Sequence, residues 1–272
     1  MTPIGFFDSG YGGLTVMQKC RALMPQYDYV YFGDNARTPY GSRSFEIVYQ
    51  YTREAVKALF DMGCRLVIIA CNTASAKALR TIQQNDLPKW DASRRVLGVI
   101  RPTAEIIGEM TKTRHIGIVA TAGTIRSDSY TLEIAKLYPD VVVNGEACPL
   151  WVPIVENNEC NTPGAEYFVE KNINNLFGKD PQIDTIILGC THYPLLIEQI
   201  KKFVPAGTNI VPQGVHVARS LQDYLARHPE IDSQCTKGGT CRYFTTESPD
   251  KFRENAKVFI HEDIDVKRYE LF

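Results

Sequence analysis

The sequence has no excess charge of either sign: 30 lysines and arginines face 31 aspartates and glutamates, a formal net charge of -1. Nucleic-acid binding calls for a basic patch, so this balance speaks against such a partner and leaves room only for a local positive site suited to a small anion. No apolar run approaches the roughly 20 residues of a membrane span. The opening Met1-Thr2-Pro3-Ile4-Gly5-Phe6-Phe7-Asp8 lacks a basic region followed by a long apolar stretch. A cytoplasmic protein with no membrane partner is expected. The glycine-rich stretch Gly10 to Gly13 has neither the G-x-G-x-x-G pattern nor a Walker Lys-Ser/Thr ending, which argues against a nucleotide. CxxC-type spacing is missing too, so neither a metal nor another cofactor is expected. A chain of 272 residues can bury a real core without disulfide staples. Its eight cysteines, Cys20, Cys64, Cys71, Cys148, Cys160, Cys190, Cys235 and Cys241, are therefore expected to be mostly reduced, and their chemistry is the question.

Short apolar runs alternate with longer amphipathic ones, the pattern of an α/β protein with parallel strands and crossover helices. Strands are expected at Ile4–Phe7, Tyr29–Phe32, Leu66–Ala70, Val96–Val99, Ile116–Ala120, Val141–Glu146, Thr185–Leu188 and Asn209–Val211. Helices are expected at Phe45–Met62, Thr73–Gln84, Thr103–Met110, Ser127–Leu137, Ala165–Leu176 and Pro194–Phe203. The tail after Ile231 is marked only by Thr245-Thr246 and is expected to pack back onto the first half.

Ligands of parallel sheets bind beyond the carboxyl ends of the strands, and here those ends are polar. Two of them look like copies: Leu66 to Ala70 runs into Cys71-Asn72-Thr73, and Thr185 to Gly189 runs into Cys190-Thr191-His192. The repetition predicts two parallel-sheet α/β domains related by pseudo-symmetry, with the site in the cleft between them. Residues 1–98 with 208–272 would form the first domain, carrying Cys71, and residues 99–207 the second, carrying Cys190.

A cysteine at a strand end and helix N-terminus meets free N–H groups and the positive end of the helix dipole, both of which favour thiolate. Packing alone explains Cys20, Cys64, Cys148 and Cys160 as small buried hydrophobes, but it does not explain one context occurring twice. Cys235 and Cys241, around Lys237-Gly238-Gly239, read as an idle loop, with a surface disulfide or ligand pair as the alternative. Two thiols on opposite faces of one carbon suit stereoinversion, in which one removes a proton and the other delivers one. The ordinary thiol pKa of about 8.5 keeps both protonation states accessible.

Five strings taken together carry a family resemblance: Asp8-Ser9-Gly10-Tyr11-Gly12-Gly13, Pro39-Tyr40-Gly41, Ala70-Cys71-Asn72-Thr73-Ala74, Thr121-x-x-Thr124-Ile125-x-Ser127 and Gly189-Cys190-Thr191-His192-Tyr193-Pro194-Leu195. In this order and spacing the chain resembles the glutamate racemases of the aspartate/glutamate racemase group. The resemblance implies that Cys71 and Cys190 are the acid/bases, with Asp8 assisting the first, His192 the second, and Glu156 near the second thiol. It implies that Asp8, Ser9, Tyr40, Gly41, Asn72, Thr73, Thr121, Thr124, Thr191 and His192 bind the substrate, glutamate, without cofactor or metal. It also implies a bacterial source and a role supplying D-glutamate for peptidoglycan, hence cell wall biogenesis. Arg101-Pro102-Thr103 and Pro212-Gln213-Gly214 depart from the family pattern. Asp8 read alone is equally a turn or capping residue, His192 a packing group and Glu156 a surface carboxylate.

The alternatives are an aspartate racemase, another two-cysteine isomerase or decarboxylase, and a two-lobe amino-acid-binding protein without catalysis. A homodimer is expected as the commonest assembly of soluble enzymes.

Overall fold

A computed structural model describes residues 2–271; the outermost residues of the expected first domain, Met1 and Phe272, lie outside them. Among the described residues, ten strands form two sheets. They are β1 (Ile4–Asp8), β2 (Tyr29–Gly33), β3 (Leu66–Ile69), β4 (Arg95–Gly98), β5 (His115–Ala120), β6 (Val142–Ala147), β7 (Thr185–Gly189), β8 (Asn209–Val211), β9 (Cys241–Thr245) and β10 (Val266–Arg268). The first sheet has the order β10-β9-β2-β1-β3-β4, the second β6-β5-β7-β8, and every pairing is parallel. The inner order β2-β1-β3-β4 is repeated as β6-β5-β7-β8, so each half places its cysteine strand, β3 or β7, beside its own first strand.

β1, β2, β3 and β7 are buried along their whole length, as expected of parallel strands covered by helices on both faces. Alternation then sorts the side chains. Phe7, Phe32, Val67 and Ile69 meet the helix Phe45–Asp61 in one cluster, while Ile116, Ile118 and Ile187 meet Ile107 and Ile134 in another. The remaining faces of both sheets, with Ile4, Phe6, Ile68, Ile186 and Leu188, share a third cluster that also holds Val217, Leu221 and Phe259. The helix Gly214–Arg227 contributes to it, touching both Gly13–Leu23 and Ile100–Met110 and so joining the halves.

Several expectations require correction. The strand 209–211, placed in the first domain by the range 208–272, pairs with β7 of the second sheet, Thr185 opposite Asn209, so the return crossing follows Val211. The tail does pack onto the first half, and it does so by adding β9 and β10 to the sheet edge. Cys241 opens β9 rather than sitting in a loop, and both it and Cys235 are free thiols. The expected helix Thr73–Gln84 is interrupted at Ala78 and passes into a π-helical turn at Ile82–Asp86. Pro194–Phe203 forms only a 3₁₀ turn, Tyr193–Leu196, and one short α-turn, Ile197–Ile200.

Candidate active site

All expected site residues except Glu156 lie at the carboxyl ends of strands β1, β2, β3, β5 and β7 or in the loops and first turns that follow them. Asp8 ends β1, Tyr40 and Gly41 follow β2, and Cys71 to Thr73 follow β3; Thr121 and Thr124 follow β5, and Cys190 to His192 follow β7. Glu156 ends the helix Trp151–Glu156, which is anchored by the fully buried Trp151 packed 4.8 Å from the Tyr193 ring.

The Cys71 sulfur lies 3.4 Å from the Ser9 hydroxyl and caps its own helix, accepting from the Ala74 N–H at 3.5 Å. Burial outweighs the helix-terminus effect that the sequence led one to expect at Cys71. Burial pushes the Cys71 thiol up to about 12, the Asp8 charge adding to the effect, while Ser9 and the Ala74 N–H only partly oppose it. Asp8 is itself raised to about 6, chiefly by burial, with His192 and the Gly10 and Gly13 N–H groups opposing. One Asp8 oxygen accepts from the Gly10 N–H at 2.9 Å. The other, Oδ1, is buried without a hydrogen-bond partner among the described residues.

Asp8 gives a testable pH effect. Its folded value exceeds its unfolded one, so the native state holds the extra proton between about pH 4 and 6, and stability falls as pH rises through that window. Asp8→Asn removes the effect. Relative to the parent, the variant should gain up to ~3 kcal/mol between pH 4 and 6 and keep that gain above it, by the linkage of one pKa unit to 1.36 kcal/mol. Urea denaturation across this range measures it; parallel curves would place the titration elsewhere.

On the other side, His192 Nδ1 is 3.9 Å from the Cys190 sulfur and Nε2 is 2.9 Å from Glu156 Oε1. Burial lowers the imidazole pKa, but the hydrogen bonds and charges of Cys190 and Glu156 outweigh it and bring it to about 10. His192 therefore stays an imidazolium at neutral pH, its ring edge-on to Phe259 from the tail at 5.1 Å. The helical turns following Cys190, four residues each, are too short to supply much dipole.

The two halves meet through hydroxyls. Thr73 Oγ1 lies 2.8 Å from Thr121 Oγ1 and 3.4 Å from Thr124 Oγ1. The Gly41 carbonyl accepts from the Gly123 N–H at 2.7 Å. Thr191 lies beside His192, and its carbonyl accepts from the Thr15 hydroxyl at 3.2 Å.

Two expected binders have their side chains committed elsewhere. The Tyr40 hydroxyl donates to Asp34, and the Asn72 amide lies between Gln213 Oε1 at 2.7 Å and the Tyr130 hydroxyl at 2.7 Å. Both can still offer backbone N–H groups. Asp34 is fully buried and also takes Arg37 and Thr246, so it holds the Tyr40–Gly41 loop; Gln213 does the same for Asn72 while reaching Thr103. Neither stood out in the sequence as a support, although Asp34 follows a strand end and Gln213 marks a departure from the family pattern. Among the described residues, no group of three His, Cys, Asp or Glu side chains is disposed to hold a metal ion, and no helix is long and apolar enough to cross a membrane.

Two parallel sheets of matching order, each presenting a thiol at the same strand end toward a shared seam, define an α/β enzyme of the two-domain racemase class. The chain belongs to the Asp/Glu/hydantoin racemase family, whose pattern it matches over residues 13–219. It is 37% identical over 268 residues to a glutamate racemase of Streptococcus agalactiae, covering 98% of this chain and 97% of that one. Its fold matches a glutamate racemase isoform of Bacillus anthracis with a TM-score of 0.90 and 34% identity, covering 99% and 98% of the two chains. It also matches a Francisella tularensis glutamate racemase in complex with D-glutamate, with a TM-score of 0.88 and 31% identity over 99% and 98%. The protein is thus a racemase, which displaces the reading as a non-catalytic two-lobe binding protein.

Proposed function

We propose that this racemase interconverts L- and D-glutamate, with Cys71 and Cys190 exchanging protons with opposite faces of the α-carbon. The observation that carries this reading is the pair of thiols on equivalent strands of two matching sheets, each with its own ionisable assistant. The unpartnered Asp8 Oδ1 accepts the substrate ammonium. That positive charge offsets the Asp8 carboxylate that holds the Cys71 thiol up and brings its thiolate within reach. On the opposite face His192 stands beside the Cys190 sulfur, held there by Glu156. Backbone N–H groups and hydroxyls at Ser9, Tyr40, Gly41, Asn72, Thr73, Thr121, Thr124 and Thr191 hold the carboxylates, which stabilises charge developing on the substrate as the α-proton leaves. We place the enzyme in the cytoplasm as a homodimer supplying D-glutamate for peptidoglycan.

Isotope placement tests the mechanism. L-Glutamate is incubated in deuterated water, stopped at low conversion, and the enantiomers are separated for mass spectrometry. D-Product should carry deuterium at the α-carbon, because the delivering thiol has equilibrated with solvent, while remaining L-glutamate keeps its protium provided that delivery from the opposite face outpaces exchange and return by the abstracting thiol. Substantial protium in early D-product would mean that a single base removes and returns the same proton. L-Aspartate run in parallel should turn over far more slowly; equal or faster turnover would reassign the substrate.

A further inference from the structure

The proposed lining must hold two carboxylates, yet it contains no lysine or arginine. Its one cation, His192, is matched by Glu156, and Asp8 adds a further negative charge. A positive charge lies directly behind it. Lys77, six residues after Cys71 at the end of the helix Asn72–Lys77, is only 8% exposed. Its ammonium donates to the Arg43 carbonyl at 2.6 Å and makes no ion pair among the described residues. It is pressed against the seam that carries the substrate loops. A Cβ built at Gly123 would stand 3.0 Å from Lys77 Nζ and 2.7 Å from the Gly41 carbonyl, and one at Gly41 would stand 2.9 Å from Thr121.

We propose that Lys77 is a specificity-determining positioning residue for the substrate's distal carboxylate, supplying from behind the Gly41 and Gly123 backbone the positive charge that the lining itself lacks. This rests on the glutamate reading above. A buried ammonium without a counter-ion is an unfavourable arrangement for the fold. The groups facing Lys77 make it more so: Arg43 lies on the loop before the helix Phe45–Asp61, Arg126 ends the helix after β5, and among the described residues the opposing negative charge is that of Glu46. Burial and Arg126 lower the Lys77 pKa. A substrate carboxylate at Gly41 and Thr121 relieves this imbalance, so the attraction is realised on binding and favours dicarboxylates over neutral amino acids. Lys77 touches neither thiol, and its effect should therefore fall on KM more than on kcat.

The test compares Lys77→Met and Lys77→Gln with the parent in an L-glutamate racemisation assay, together with thermal denaturation. The first variant removes both charge and hydrogen bond; the second removes the charge but keeps a donor for the Arg43 carbonyl. Both should raise KM by about tenfold, the order expected for losing one charge several ångströms away in a protein-like dielectric, with kcat changed less than KM and Tm not lowered. If Lys77→Gln restored the parent KM, the hydrogen bond would be the operative contact and the proposal would fall. An unchanged KM in either folded variant, or a KM rise tracking a loss of Tm, would overturn it as well. Should Lys77→Met not fold, Lys77→Gln decides by the same criteria. Absence of parent turnover on glutamate would bring down the substrate reading and this inference with it; normal parent turnover with unchanged variants brings down this inference alone.

Discussion

Replacing either Cys71 or Cys190 with alanine should abolish racemisation in both directions, while leaving circular dichroism and the cooperative unfolding transition intact. Each thiol is the base in one direction and the acid in the other, so neither direction can proceed with one missing. Loss of a positioned acid/base costs about 10²–10⁴ in rate, and loss of the sole proton source on one face should lie at or beyond the upper end. The two variants are not equivalent. Each retains a thiol on one face only and can still exchange the α-proton of one enantiomer with solvent without inverting it. Cys71→Ala and Cys190→Ala should therefore label opposite enantiomers in deuterated water. Cys160→Ala, outside the seam, serves as the control. Near-normal racemisation by either active-site variant would remove that cysteine from the mechanism.

Gly12→Ala should also be strongly damaging, although residue 12 is no acid or base. Its φ of -58° is ordinary, so backbone freedom is not the reason for glycine here. The reason is proximity between the halves: a Cβ at Gly12 would stand 2.2 Å from Thr191 Oγ1 and 2.5 Å from His192 Nδ1. The methyl group can be accommodated only if the loop after β7 withdraws from the loop after β1. Overpacking of this kind costs about 1–3 kcal/mol in stability, but the greater effect is on geometry, since a displacement of about 1 Å at a reacting group can cost about 100-fold in rate. The expected result is a folded enzyme with kcat/KM reduced about 100-fold or more. A crystal structure of the variant should show His192 displaced from Cys190. Retention of more than a third of the activity would mean that the seam is far more compliant than this contact implies.

Local patterns in the chain carried most of the architecture. The apolar runs at β1, β3, β5 and β7 were legible because a strand buried on both faces must be continuously apolar, and the polar residues at their ends were legible because burial stops there. The repeated strand-cysteine context predicted two related halves. Other local signals went unused: Thr162-Pro163 marks the start of the helix Pro163–Lys179, with Thr162 accepting from the Ala165 N–H at 3.2 Å. The strand β8 was recognised, but its sheet was not, because pairing depends on what the chain does after Val211.

The sequence by itself determined the parallel α/β class, the two cysteine positions and the set of polar groups beside them, since each follows from residue type and short-range spacing. Only the tertiary structure decided their charge states and partners. Burial raises the Cys71 thiol and Asp8, an effect that no spacing encodes, because desolvation depends on every chain segment packed around a group. The same holds for contacts between residues far apart in the chain: Phe259 on His192, Gln213 on Asn72, Thr246 on Asp34 and Lys77 behind Gly123. Such pairs leave no periodic trace in a single sequence and come together only when both sheets close on the seam.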